Sequence, residues 1–550
     1  MKKLSRREAL QLMGLGAAGG ILAACKPTAA PTTAPEEPEA TTAAEATATP
    51  LPPVEDVEIK VSLWDIQNSF PEGQEPDEIA QMVMDMFHVK LIPVNVGWGD
   101  ADEKYNTWAA SGQLPDIIGA IAMPGTGRYY QWINDGVVRP LPDVSMYDQV
   151  RQAMAWPEVT AFSVEGQNYF LPRMTYADPA WWAMDRGLIA RKDWMEKHGF
   201  TDPQTEDDYI EMLAAFAKDD PDGNGEDDTT GFTPVAPWIM ISQGWTGFGY
   251  TDWPWMRDST DGKYRQACSG ERTFRMMQFF KRMFQAGGLD PDFATLESSQ
   301  AVDKFAAGKV GMLGRQVSPK HLRIVMDSWV QVQPDKDFVD SIQILHGPTV
   351  DGSFTRFSEK AYWSESYIEA NVDDTKMDRI LQMYNWLYSE EGLYTMLYGI
   401  RDKDFTIDRD ENVVLLTDVD EDTGLHTATS DLYPFTYAMS YLAAWAGDLL
   451  QYKDPGIPQA IRDLTEAERD YRVNNWIDPK INWAVQAIDV PEKEEMAAVQ
   501  FTDDWVRFIV DDSGTSDEDL YEAIKQNWDA NGYAAAVEAI TAKAKELGLE

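Results

Sequence analysis

Between Val57 and Ala120 the chain alternates strand-like and helix-like segments, and that rhythm restricts its fold more than any other feature. Val57-Glu58-Ile59-Lys60-Val61-Ser62-Leu63-Trp64 alternates apolar and polar residues, the period of a strand. A helical stretch over 76–88 leads to Val89-Lys90-Leu91-Ile92-Pro93-Val94, a second strand. A helix over 101–111 leads to a buried strand over 114–120. Strands that alternate with helices predict a mostly parallel α/β sheet. Beyond 265 helices dominate, expected over 270–286, 374–399, 432–452, 460–473 and 516–547.

Ahead of this region lies a different chain. Lys2, Lys3, Arg6 and Arg7 precede a short apolar run that ends in Ile21-Leu22-Ala23-Ala24-Cys25. A positive end, an apolar middle and small residues at the exit form an export signal, too short for a comfortable membrane span. Ser5-Arg6-Arg7 also resembles the twin-arginine signal, which exports folded proteins. Cys25 after Leu-Ala-Ala resembles the lipobox of bacterial lipoproteins, which implies cleavage of 1–24 and acyl chains such as palmitate on Cys25. Residues 25–54 are rich in Ala, Thr, Pro and Glu, have no apolar periodicity, and read as a disordered tether.

The formal charge of the 550 residues is −45. Removing the leader, with its excess of three positive charges, leaves about −48. Such a surface excludes nucleic acid and docking on anionic lipid, both of which need basic patches. If Cys25 is lipidated, Cys268 has no cysteine partner and is expected to be a structural thiol.

Six segments, in order, resemble the carbohydrate-binding branch of the extracellular solute-binding proteins of ABC importers. They are Ala110 to Ile118, Val164 to Pro172, Ile189 to Met195, Gly288 to Phe293, Phe305 to Met312, and Ser389-Glu390-Glu391-Gly392 with Tyr398-Gly399-Ile400. The resemblance covers about 57–410. It implies an α/β fold of the periplasmic-binding-protein-like type II: two lobes, a hinge, a ligand cleft between them and a helix-rich C-terminal part. Residues 55–172 plus about 366–430 are expected as the first lobe, and 173–365 plus about 431–550 as the second. Crossings are expected near 170–186 and 355–368. The implied function is capture of a sugar, an oligosaccharide by expectation, by a monomer anchored through Cys25 on the extracytoplasmic face and its delivery to ABC permease subunits, with no chemistry on the ligand. A peptide receptor and a surface glycoside hydrolase are the competing readings.

Position along that fold selects the cleft residues. Trp64 and Asp65 end the first strand, and Thr126 lies in a Gly-rich loop after the third. Arg173 follows the hinge-entry Leu171-Pro172, Trp182 lies in the first crossing and Trp363 in the second. Trp245 falls in a Gly/aromatic loop and Arg315 at another strand end. Aromatic faces stack on the C–H faces of pyranose rings while polar groups take the hydroxyls. The helical C-terminal third is expected either to buttress the second lobe or to shape the pocket around Tyr433-Pro434-Phe435.

Asp220-Pro221-Asp222-Gly223-Asn224-Gly225-Glu226-Asp227-Asp228 places oxygens at positions 1, 3, 5, 7 and 9 of an EF-hand-like loop, through Asp220, Asp222, Asn224, the Glu226 carbonyl and Asp228. Position 12 is Gly231, where that motif has a bidentate Glu. The expectation is a structural calcium ion; the alternative is an acidic, solvated turn.

Overall fold

The computed structural model describes residues 55–550 apart from 98, 177, 243–253, 271, 350–351, 410, 420–425, 446–448 and 550. The leader, Cys25 and the tether lie outside the described residues.

Five strands form the first sheet, in the order Val89–Val96, Val57–Trp64, Ile117–Ile121, Tyr362–Ile368, Phe170–Met174. Val57–Trp64 is parallel to both of its neighbours, as the alternation predicts. Tyr362–Ile368 is antiparallel to both of its own. The second sheet runs Ile342–Leu345, Gly187–Arg191, Val310–Arg315, Thr230–Pro234. Here Gly187–Arg191 is the antiparallel strand. Both exceptions have one cause. The chain leaves the first sheet after Met174 and returns at Tyr362, so the strand that follows each crossing enters from the end opposite to a local strand–helix unit.

Strand residues of the first sheet, among them Ile59, Val61, Leu63, Ile117 and Phe170, pack with Ile380, Met439 and Leu442 into one cluster. The second sheet is buried on both faces. Leu188 and Ala190 belong to one cluster with Phe216, Phe232 and Phe280, whereas Ile189 between them belongs to another with Leu313, Trp329 and Ile461. This is the two-residue period of a strand covered on each side. The C-terminal helices Phe501–Val510, Asp517–Ala530 and Tyr533–Glu546 bring Trp505, Trp528 and Ile540 into the first of these. Buried Cys268 sits there too.

Three long helices of the sequence reading are shorter or divided. The stretch 374–399 is Asp374–Leu387 and Glu390–Tyr398, because Ser389 caps a new helix and its Oγ accepts from Gly392 N at 3.1 Å. The stretch 516–547 divides at Gly532, whose φ of 92° suits glycine. The stretch 432–452 is helical over Phe435–Ala443; Ala444 turns extended and bridges Met174, to which Trp445 donates its backbone N–H at 2.8 Å. Phe435–Ala443 packs in the cluster of the first sheet, on the other side of the lobe boundary expected at 430. Its apolar residues Phe435, Ala438, Met439 and Leu442 share one helical face, and that face covers the sheet.

Candidate functional site

The extended turn at Ala444 lays a row of aromatics beside the crossings. Tyr437, Tyr441 and Trp445 stand four residues apart, and their rings meet at 4.4 and 4.7 Å. Trp363, from the returning strand, lies 6.2 Å from Trp445 and 5.6 Å from Trp64. Trp64 ends the first strand and is 9 % exposed. Asp65 follows it in a left-handed turn (φ 54°) and starts a short 3-10 turn.

Arg173 stands at the centre of these rings. Its guanidinium carbon is 4.1 Å from the ring centroid of Trp445 and 5.1 to 5.4 Å from those of Trp363, Tyr441 and Trp64. Its Nε donates to the Trp363 carbonyl at 3.1 Å. It is fully buried, so the direct sugar contact expected of Arg173 has no surface in this conformation. The physical role it fills is bracing: a cation held by four ring faces fixes the wall they form.

A cavity of about 560 Å³ opens beside this wall, lined by Tyr437, Tyr441 and Trp445 on one side and by Arg315, Lys320 and His321 on the other. Arg315 ends its strand, as expected, and is 5 % exposed. Lys320 Nζ sits 5.2 Å from the Trp445 ring centroid. Trp64, Arg173 and Trp363, chosen from separate stretches of sequence, are thus brought together behind Trp445, which connects them to the cavity that Arg315 lines.

The other candidates fall elsewhere. Trp182 is 3 % exposed, packs edge-on against Tyr176 at 4.8 Å and donates its indole N–H to Lys360 O at 2.8 Å. Those contacts are structural. Thr126 caps helix Gly127–Asn134, its Oγ accepting from Tyr129 N at 3.3 Å. It lines a different cavity of about 1080 Å³, bounded also by Trp132, Trp255, Lys493 and Phe501. That cavity is the larger of the two, and Trp132, Trp255 and Phe501 give it an aromatic lining of its own. Trp245 lies outside the described residues. Tyr433 and Phe435 are core: Tyr433 donates to Asp404 at 2.9 Å, and Phe435 meets Phe70 edge-on at 5.1 Å.

The sequence reading missed Tyr437, Tyr441 and Trp445. Their four-residue spacing was the available signal, but a four-residue aromatic spacing inside a helix reads equally as core.

One buried carboxylate lies in the returning strand. Burial pushes the Glu365 carboxyl up to about 7, against the pull of the Lys360 ammonium at 3.5 Å and of Met123 N–H at 3.2 Å.

In the acidic loop, Asp220 accepts from Asn224 N at 3.0 Å and Gly225 N at 3.1 Å, and Asn224 Oδ1 accepts from Glu226 N at 2.7 Å. Asn224 Nδ2 reaches Asp222 at 2.9 Å and Asp228 at 3.2 Å. The hard-oxygen donors suit calcium in kind. Lys309 Nζ stands 3.2 Å from Asp222 and 2.6 Å from Asp228, so a cation already compensates that pair. No group of three or more His, Cys, Asp or Glu side chains placed to hold a metal forms among the described residues. Likewise no helix among them is long and apolar enough to cross a membrane.

Residues 78–337 match the family described as bacterial extracellular solute-binding protein. Lipoprotein LipO of Bacillus subtilis (strain 168) is 28 % identical over 263 residues, which span 45 % of this chain and 48 % of LipO, about half its length. The polygalacturonan/rhamnogalacturonan-binding protein YtcQ of the same organism is 23 % identical over 70 % of this chain and 71 % of its own. The substrate-binding protein FusA of S. pneumoniae, solved with kestose, superposes with a TM-score of 0.63 at 16 % identity, covering 90 % of this chain and all of FusA. An EF-hand mutant of FusA (TM-score 0.62, 17 % identity, 90 % of this chain and 100 % of that one) is among the neighbours. So is alginate-binding protein AlgQ2 without calcium ion (0.63, 14 %, 88 % and 97 %). The fold is that of the type II periplasmic-binding proteins, and the family and its neighbours are binding proteins.

Proposed function

We propose, from the match of residues 78–337 to the bacterial extracellular solute-binding proteins, that this chain captures an oligosaccharide outside the cytoplasm and delivers it to an ABC permease. The observation that carries this reading is the braced aromatic wall of Trp64, Trp363, Tyr441 and Trp445 beside the crossings. Flat apolar faces with polar groups across a cavity suit a pyranose, which is apolar on its C–H faces and polar at its rim. YtcQ and FusA, a saccharide binder by name and one solved with a saccharide, support the ligand class. Binding shifts the lobes toward closure by as much as the ligand prefers the closed state, and no bond of the ligand changes.

The anchor in this proposal is lipid on Cys25, with 25–54 as the tether, and the working form is a monomer. The likeness to a lipoprotein supports this. The loop Asp220–Asp228 holds a structural calcium ion once the Lys309 ammonium swings away from Asp222 and Asp228. Asp220, Asp222, Asn224, Asp228 and the Glu226 carbonyl are the ligands, with FusA and AlgQ2 as precedents in this fold.

A thermal-shift screen of the purified chain against mono- and oligosaccharides, with peptides as controls, tests the reading. A ligand that binds only the native state raises its melting temperature. A saturable rise with a glycan and an unaltered glycan afterwards are expected. A rise with peptides alone, or turnover of the glycan, would overturn it.

A further inference from the structure

The cavity beside the aromatic wall carries a charge opposite to that of the molecule. The chain has 92 acidic and 47 basic residues, so a buried cation has abundant acids to pair with. Arg315 is nonetheless 5 % exposed with its Nε buried and without a partner, and no ion pair or side-chain hydrogen bond engages it among the described residues. A buried guanidinium without an anion is costly, by several kcal/mol in general.

Among the described residues, the groups around it do not supply that anion. Lys320 and His321 line the same cavity, and Lys320 adds a second positive charge over the Trp445 ring. Of the two acids in the lining, Asp327 is engaged by Arg323 at 2.6 Å. The other, Asp454, accepts from Gly456 N at 2.8 Å, and burial raises its pKa, which weakens it as a countercharge. His321, hydrogen-bonded to Ser318 at 2.8 Å, is held well below the usual imidazole range by burial and then by Arg315, Lys320 and Arg186. Three cations thus face His321, although the whole chain is acidic. Burial alone brings Arg315 down to about 10, so it remains charged at neutral pH.

We infer that the oligosaccharide bound at this wall is acidic, a uronate-bearing chain whose carboxylate is received by Arg315 with Lys320 beside it. The inference rests on the saccharide reading above and narrows it. A guanidinium meets a carboxylate through two parallel N–H donors, a strong and oriented contact. The neighbouring rings of Tyr441 and Trp445 take the sugar's C–H face in the same cavity. Within an acidic molecule the unpaired Arg315 guanidinium also makes the cleft a favoured place for an anion.

Calorimetric titration of the purified full chain with tri- to hexameric galacturonates and mannuronates, their methyl esters, and neutral oligosaccharides of equal length tests this. The expected result is affinity for at least one uronate series about tenfold or more above its ester and the neutral chains, falling as salt is raised from 0.05 to 0.5 M. Arg315→Gln should bring the acid-to-ester ratio near one, and Arg315→Lys, which keeps the charge, should retain part of it. Melting curves of both variants report whether they fold. Neutral chains or esters bound as tightly as uronates would overturn the acidic class and leave the saccharide reading standing. Binding of no saccharide at all would overturn both.

Discussion

The guanidinium carbon of Arg173 lies 4.1 Å from the ring centroid of Trp445, although the two are 272 positions apart in the chain. One residue comes from the strand that leaves the first sheet, the other from the turn that follows Phe435–Ala443. Their contact ties a crossing to the aromatic wall. Trp445→Ala removes a half-buried ring that lines the cavity and should weaken oligosaccharide binding by about tenfold or more, roughly 1.4 kcal/mol. Arg173→Met removes the brace and should lower both melting temperature and affinity. Fluorescence titration and melting curves separate the two effects.

Glu365 makes stability depend on pH. Its carboxyl is raised from the ordinary 4.5 to about 7 by burial. The folded state therefore favours the protonated form. Its contribution is fully present below about pH 4.5 and is lost as pH rises through about 7. Glu365→Gln keeps an acceptor for Met123 N–H without the buried charge. Melting at pH 8 should rise by the equivalent of up to about 3 kcal/mol, with a smaller gain at pH 5. An equal effect at both pH values would refute this.

Much of the α/β frame was legible because its signal is local. The strand Val57–Trp64 and the helix Ala101–Ser111 have the expected bounds. Local periodicity does not report which strand arrives from the other sheet, so the antiparallel entries of Gly187–Arg191 and Tyr362–Ile368 were not foreseen. The candidate site was half legible. Strand ends and crossings lead to Trp64, Arg315 and Trp363, and the structure places Trp64 and Trp363 in the aromatic cluster and Arg315 in the cavity lining. Trp445 depends on Ala444 leaving the helix to bridge Met174, a contact over 270 residues that no window of sequence contains.

The segment 483–498 is clamped against the loop that holds Thr126. Lys493 Nζ donates to Gly125 O at 3.0 Å and Gln486 O at 2.8 Å, and Tyr130 Oη donates to Ala487 O at 2.6 Å. A Cβ at Gly127 would meet Glu494 Cβ at 2.7 Å and its Cα at 3.0 Å. Gly127→Val should cost about 1–3 kcal/mol and speed amide exchange in 483–498. Unchanged exchange there would show that the clamp is dispensable.

Calcium should raise the melting temperature saturably, and EDTA should reverse it. Asp222→Asn with Asp228→Asn should abolish the response, since these carboxylates carry most of the charge a hard cation needs at this loop. Lys309→Met should strengthen binding by removing the competing ammonium. Wild-type melting that is indifferent to calcium would assign the loop to the solvated turn held by Lys309.

A crystal structure of the chain with a bound oligosaccharide would locate the ligand. A sugar ring is expected against Trp445 and Tyr441, in the cavity that Arg315 and Lys320 line. Sugar density confined to the cavity lined by Thr126, Trp255 and Lys493 would contradict it.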